Sequence, residues 1–94
     1  MEQLMEMKKD EVQDIRFRQK MEELYLEFLE LISLLRDAKD DRLKCLIAKK
    51  MKSNIMEQQL TLEEMAKDGV IEEDMLLITG KENTFVHNAL DLIA

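Results

Sequence analysis

The chain has 94 residues, with 14 Lys and Arg against 21 Asp and Glu; it is 46% apolar and 37% charged, and holds two Gly, no Pro, one Cys and one His. These counts exclude a disordered acidic tail, which cannot be this apolar, and an intrachain disulfide framework, which one cysteine cannot form. They also exclude a many-stranded sheet, whose turns need Gly and Pro.

Leu, Met, Glu, Lys and Gln dominate, and all are good helix formers, so the expected fold class is all-α. A helical chain this short buries little surface on its own, so the expectation is a single domain that self-associates or takes a partner. Charge is uneven along it: residues 1–40 net −4, 41–60 net +3 and 61–94 net −6. A basic middle between acidic ends suits a chain that folds back on itself.

From Met1 to about Arg36 nothing breaks a helix, which predicts one element of roughly 35 residues, about 50 Å long. Phe17, Met21, Leu24, Phe28, Leu31, Leu35 and Ala38 follow steps of 4, 3, 4, 3, 4 and 3. That alternation keeps one coiled-coil-like seam turned toward a partner helix. Extended backwards, the register places Asp14 and Asp10 on the seam. Met1, Met5, Val12 and Ile15 fit a stripe displaced by two positions, which predicts a stutter near Ile15 to Phe17. Between Leu24 and Leu35 nine of twelve residues are apolar, because Tyr25, Leu26, Leu29, Ile32 and Leu34 widen the seam. A helix so nearly apolar all round needs cover on several sides.

Asp37-Ala38-Lys39-Asp40-Asp41 offers the next helix start, since Asp40 or Asp41 can accept a bond from a free first-turn amide. A turn here makes an αα-hairpin whose second arm runs to about Gln58; the alternative is an unbroken helix through the same residues. The phase of the apolar set favours the turn, because the old seam would carry Arg42, Cys45, Lys49 and Lys52, whereas Leu43, Leu46, Ile47, Met51 and Ile55 lie on another face.

Thr61-Leu62-Glu63-Glu64 matches a capping box, which predicts a short helix from Leu62 to Asp68, closed by Gly69. Ile71–Ile78 reads as a second short helix ended by Gly80. Asn83 or Thr84 would cap a last one with Phe85, Ala89, Leu92 and Ile93 on or near one face. Helices of two turns are marginal alone and would be held by docking on the long ones. The organisation expected is residues 1–58 as a long helix or hairpin carrying the seam, and 59–94 as short helices packed on it, in a dimeric helical bundle.

Residues with chemical potential are few. His87 and Asp91 stand at i and i+4 with Thr84 one turn earlier, yet one exposed helical turn supplies neither a shaped pocket nor an oxyanion site. One His and one Cys beside carboxylate runs such as Glu72-Glu73-Asp74 make a poor metal site, and those carboxylates suit the positive end of a helix. Cys45, between Leu43 and Leu46 with Lys44 and Lys49 nearby, reads as a small buried or half-buried residue rather than a reactive thiol. No glycine-rich phosphate loop is present. Neither enzyme activity nor a cofactor is expected. Met21, Met51, Met56, Met65 and Met75 stand at apolar-looking positions, as core filler or, where exposed, as markers of a partner groove.

Lys44, Lys49, Lys50 and Lys52 form the one basic cluster in the sequence and are the candidate phosphate contacts. Thr61-Leu62-Glu63-Glu64-Met65-Ala66-Lys67-Asp68-Gly69-Val70 resembles the opening of a helix-turn-helix motif, which implies a nucleic-acid-associated transcription regulator. It departs from that pattern in two ways. Ala66 and Gly69 stand one residue closer than the motif's alanine and turn glycine, and the would-be reading helix opens with Glu72-Glu73-Asp74, which repel phosphates.

The favoured expectation is a non-enzymatic protein-protein interaction module, serving as adaptor, regulator, chaperone-like cofactor or assembly subunit. It would associate with a second copy or a partner helix through Phe17, Met21, Leu24, Tyr25, Phe28, Leu31, Ile32 and Leu35. The acidic start Met1-Glu2-Gln3-Leu4-Met5-Glu6 is unlike a signal peptide, which points to a cytoplasmic location. Apolar runs such as Met75–Ile78 are far short of the roughly 20 residues that span a bilayer, so no membrane partner is expected.

Overall fold

A computed structural model describes the backbone of residues 2–93 and the side chains of residues 13–93. Where the sequence carries no breaker the helix runs on, so α1 spans Glu2–Asp37. It gives way at the expected turn. Asp40 adopts an extended conformation (φ −100°, ψ 130°), and its carboxylate accepts the Arg42 amide at 3.1 Å, opening α2 at Asp41–Lys67. The third helix, α3, is Glu73–Asp91. The described residues form these three helices and no strand.

Two side-chain bridges fix each pairing as antiparallel. Asn54 of α2 meets Leu24 and Glu27 of α1, while Gln13 near the start of α1 reaches Asp68 at the end of α2 at 2.7 Å. Likewise Gln59 meets Asn83 at 2.9 Å, and Lys52 pairs with Asp91. The central helix is therefore α2, packed by α1 on one flank and α3 on the other; among the described residues α1 and α3 make no backbone approach to each other. This open bundle measures 59 × 22 × 13 Å, and its radius of gyration of 16.5 Å exceeds the roughly 12 Å of a compact chain this long.

The Phe17–Ala38 seam lies against α2. At one end Leu31 and Ala38 bury with Ile47, Ala48, Met51, Ile55 and Leu90, flanked by Phe28, Leu35 and Val86. At the other, Met21 buries with Leu62 and Met65, flanked by Phe17, Leu24, Val70, Ile71 and Leu76. Toward its start the seam keeps its register. Asp14 is half-buried and paired with Arg18 at 3.2 Å, whereas Ile15 is 52% exposed, so at these two positions the seam's own register, and not the displaced stripe, turns inward. Met1, Met5, Asp10 and Val12 lie outside the described side chains.

The C-terminal half departs from the expectation. Thr61 caps nothing; it is buried within α2, and its hydroxyl donates to the Glu57 carbonyl at 2.8 Å. A capping box acts only where the chain enters a helix, and here the buried row Asn54, Gln58, Thr61, Leu62 and Met65 carries the helix past residue 58. The boundary placed at 58/59 thus falls inside a continuous element. Gly69 does close α2. At φ +78° it donates to Ala66 at 3.1 Å, Val70 donates to Met65 at 2.8 Å, and the Val70 side chain packs in the cluster of Met65.

Gly80 ends no helix. The two short helices foreseen over residues 71–93 are one, and Asn83 and Thr84 lie in its interior. A glycine without positive φ costs a helix some propensity without breaking it. Its missing side chain brings α3 close to the Gln59 side chain.

Among the buried residues are a polar pair the sequence reading passed over. Asn54, 3% exposed, donates to the Leu24 carbonyl at 3.0 Å and to Glu27 Oε1 at 3.1 Å, and accepts from Gln58 Nε2 at 2.6 Å. These bonds form only when Leu24 and Glu27 stand opposite Asn54, so they fix the α1–α2 register. Asn54→Ala should cost about 1–3 kcal/mol in urea unfolding by leaving Gln58 without its partner. Gly80→Ala should add about 0.5–1 kcal/mol, because the new Cβ meets Gln59 at an ordinary 3.5 Å and restores helix propensity. A loss of stability in that variant would contradict a continuous α3.

Candidate interaction site

Of the eight residues expected to form an interface, six turn inward within their own chain. Met21 and Leu31 are buried, and Phe17, Leu24, Phe28 and Leu35 are half-buried against α2. Tyr25 and Ile32 are 50% and 41% exposed. Leu26 and Leu29 join them in the open, so Tyr25, Leu29 and Ile32, spaced 4 and 3, make a second stripe beside the filled seam. The widening of the apolar face noted in the sequence is this stripe, which α2 leaves uncovered.

Two grooves flank α2. Between α1 and α2 an opening of about 1100 Å³ is lined by Leu24, Leu31, Leu34, Leu43, Leu46 and Ile47, with Glu27 and Glu57 among its acidic residues and Lys49 and Lys50 among its basic ones. Leu43 and Leu46, read with Ile47, Met51 and Ile55 as one apolar set, are about half exposed here, because α2 turns only the other three fully inward. Between α2 and α3 a second opening of about 960 Å³ is lined by Ile55, Met56, Leu76, Leu77 and His87. Of the methionines, Met21, Met51 and Met65 are core, while Met56 and Met75 lie open.

The face of α3 chosen by sequence is turned the wrong way for docking. Phe85 is 75% and Leu92 90% exposed, whereas α3 packs through Leu76, Val86 and Leu90, with Asn83 bonded to Gln59. Met75, Ile78, Glu82, Phe85, Ala89 and Leu92 follow steps of 3, 4, 3, 4 and 3. That pattern was readable in the sequence but was obscured by taking Gly80 as a stop.

The residues with chemical potential do not converge on a reactive site. The Thr84 hydroxyl donates to the Gly80 carbonyl at 2.9 Å, a bond within its own helix. His87 Nδ1 stands 3.8 Å from Asp91, whose carboxylate is engaged by Lys52. The bond from Lys52 holds the Asp91 carboxyl below its ordinary value, against the opposing effect of partial burial, and this pair pins the end of α3 to α2. Cys45 is a half-buried free thiol. Among the described residues no group of three or more His, Cys, Asp or Glu converges as a metal site, and no helix is long and apolar enough to cross a membrane.

The four lysines stand in different settings. Lys44 is half-buried, Lys52 is committed to Asp91, and Lys49 and Lys50 rim the α1–α2 groove. Lys50 and Lys52 point about 160° apart around α2. The stretch resembling a helix-turn-helix opening forms the end of α2 and the turn into α3, but the two helices lie antiparallel side by side instead of crossing steeply. No family model matches the sequence, and no curated protein or solved structure is similar to it.

The Asp91 shift carries a pH dependence with a definite sign. Its folded value lies below the ordinary 3.8, so the stabilisation is complete above 3.8 and is lost as pH falls through the folded value. Thermal melts should therefore show Asp91→Asn less stable than wild type at pH 7, with the gap closing progressively below pH 3.8. A gap that persists at the acid end would remove the ion pair as its cause.

Proposed function

We propose that the protein is a non-enzymatic protein-protein interaction module that works by helix-helix association, in the manner of an adaptor, regulator or assembly subunit. The observation that carries this reading is apolar surface left open on all three helices after both internal pairings are made. Tyr25, Leu26, Leu29 and Ile32 on α1, Leu43, Leu46, Met56 and Leu60 on α2, and Met75, Leu77, Ile78 and Phe85 on α3 are each between 41% and 75% exposed. Single exposed leucines are ordinary, but contiguous stripes of this kind mark sites that bind. Because the α1 seam is filled by α2, the surface offered to a partner is the flank of that seam, not the seam itself. Acidic and basic groups around the open faces would select partner and register, contributing more to specificity than to affinity.

Sedimentation equilibrium across a range from micromolar to about 1 mM tests the reading. The expected result is a mass above that of one chain which rises with concentration, and which His87→Ala leaves unchanged. A mass of one chain throughout would overturn it.

A further inference from the structure

We propose that the outer face of α3 is the contact between two copies of this chain, paired antiparallel about a two-fold axis near Asn83 and Thr84. The inference rests on the association reading and names both the surface and the occupant.

The two sides of α3 differ in a way its docking does not explain. Toward α2 it presents Thr79, Gly80, Asn83 and His87 along with Leu76, Val86 and Leu90, all half-buried or buried. Away from α2 it presents Met75, Ile78, Phe85 and Leu92 at 57%, 59%, 75% and 90% exposure. Every Asp, Glu and Lys of α3 stands on its exposed surface, as solvation dictates, yet these four large apolar side chains stand there too, gathered in one stripe. A stripe this large, left open while Thr79, Asn83 and His87 are packed, has the character of a face that is covered in use.

The stripe is self-complementary. Met75, Ile78, Glu82, Phe85, Ala89 and Leu92 alternate in steps of 3 and 4, as the two core positions of a helix pair do. In an antiparallel pair each position of one kind meets one of the other kind. Met75 then faces the partner's Leu92, Ile78 faces the partner's Ala89, and Glu82 faces the partner's Phe85, all in one register. Large side chains meet small ones at Ile78 and Ala89, and the methylenes of Glu82 lie along a phenyl ring while its carboxylate reaches water. A single patch used twice forms a closed pair, whereas docking the same stripe in another groove would be head-to-tail, giving a ring where the rotation closes and a filament where it does not.

The area agrees. The four large apolar side chains leave roughly 550 Å² open, at the upper end of what a monomer tolerates. Two such stripes with their flanks exceed the roughly 1,000 Å² that separates specific pairs from casual contacts.

Cysteine cross-linking and variant analysis test the proposal on the full-length chain in a Cys45→Ser background. Met75 and Leu92 of one chain are separated by about 25 Å along the helix, too far to bridge. The double variant Met75→Cys/Leu92→Cys should oxidise to a covalent dimer, and neither single variant alone should. A mixture of the two single variants should yield the mixed dimer. By sedimentation, Phe85→Asp should weaken dimerisation roughly a hundredfold or more, and Glu82→Leu should tighten it about tenfold by filling the seam. Phe85 is exposed in the single chain, so circular dichroism should show Phe85→Asp still helical.

Wild-type association that persists in Phe85→Asp would overturn the α3 contact while leaving the association reading standing, with the Tyr25–Ile32 stripe as the remaining surface. Cross-linking of the single variants would overturn the antiparallel arrangement. A single-chain mass for wild type at every concentration would overturn the association reading itself.

Discussion

The seating of the Phe17–Ala38 seam on α2 is the contact on which the other features depend. An α1 this long cannot hold its apolar face in water, and the nearest cover is the helix that follows after one tight turn at Asp37–Asp41. Once α2 takes that role, its buried row is oriented, the flank it turns toward α3 is fixed, and the surface left over on each helix is determined. The Asn54 network makes the pairing specific in position, because hydrophobic burial alone would tolerate a slip of one turn.

Layer shape follows from the same contact. Because α1 and α3 both spend themselves on α2 and do not close on each other, the bundle stays open and elongated. A closed three-helix bundle would hide most of its large side chains. This one leaves Tyr25, Leu29 and Ile32 on one helix and Ile78, Phe85 and Leu92 on another in contact with solvent. What the packing leaves on the surface is therefore apolar stripes with charge scattered among them.

What could be read from the sequence follows the strength of each local signal. The length of α1 and its seam were legible because nothing interrupts 3-4 spacing over some twenty residues, and the turn was legible because Asp40 has an acceptor where a helix start needs one. The ends of α2 and the unity of α3 were not. Thr61-Leu62-Glu63-Glu64 satisfies a local rule that tertiary packing overrides, since Thr61 sits on the buried row facing α1. Gly80 looks like a stop only if its φ is positive, which sequence does not disclose. The buried Asn54 and Gln58 were hidden by their polarity, although Ile47, Met51, Asn54, Gln58 and Met65 keep the helical spacing that would have placed them inside. The eight residues expected to form an interface mix a filled seam with an open flank, a division that only the position of α2 reveals.

The central claim is that one chain covers its own α1 seam with its own α2. Spin labels on Gln19 and Glu63, both exposed, in a Cys45→Ser background and diluted with unlabelled protein, report that pairing within a single molecule. Side-by-side packing predicts a separation of about 20 Å or less. A distance near 65 Å, that of one uninterrupted helix over the same residues, would show that the seam is left to another molecule and would contradict the account.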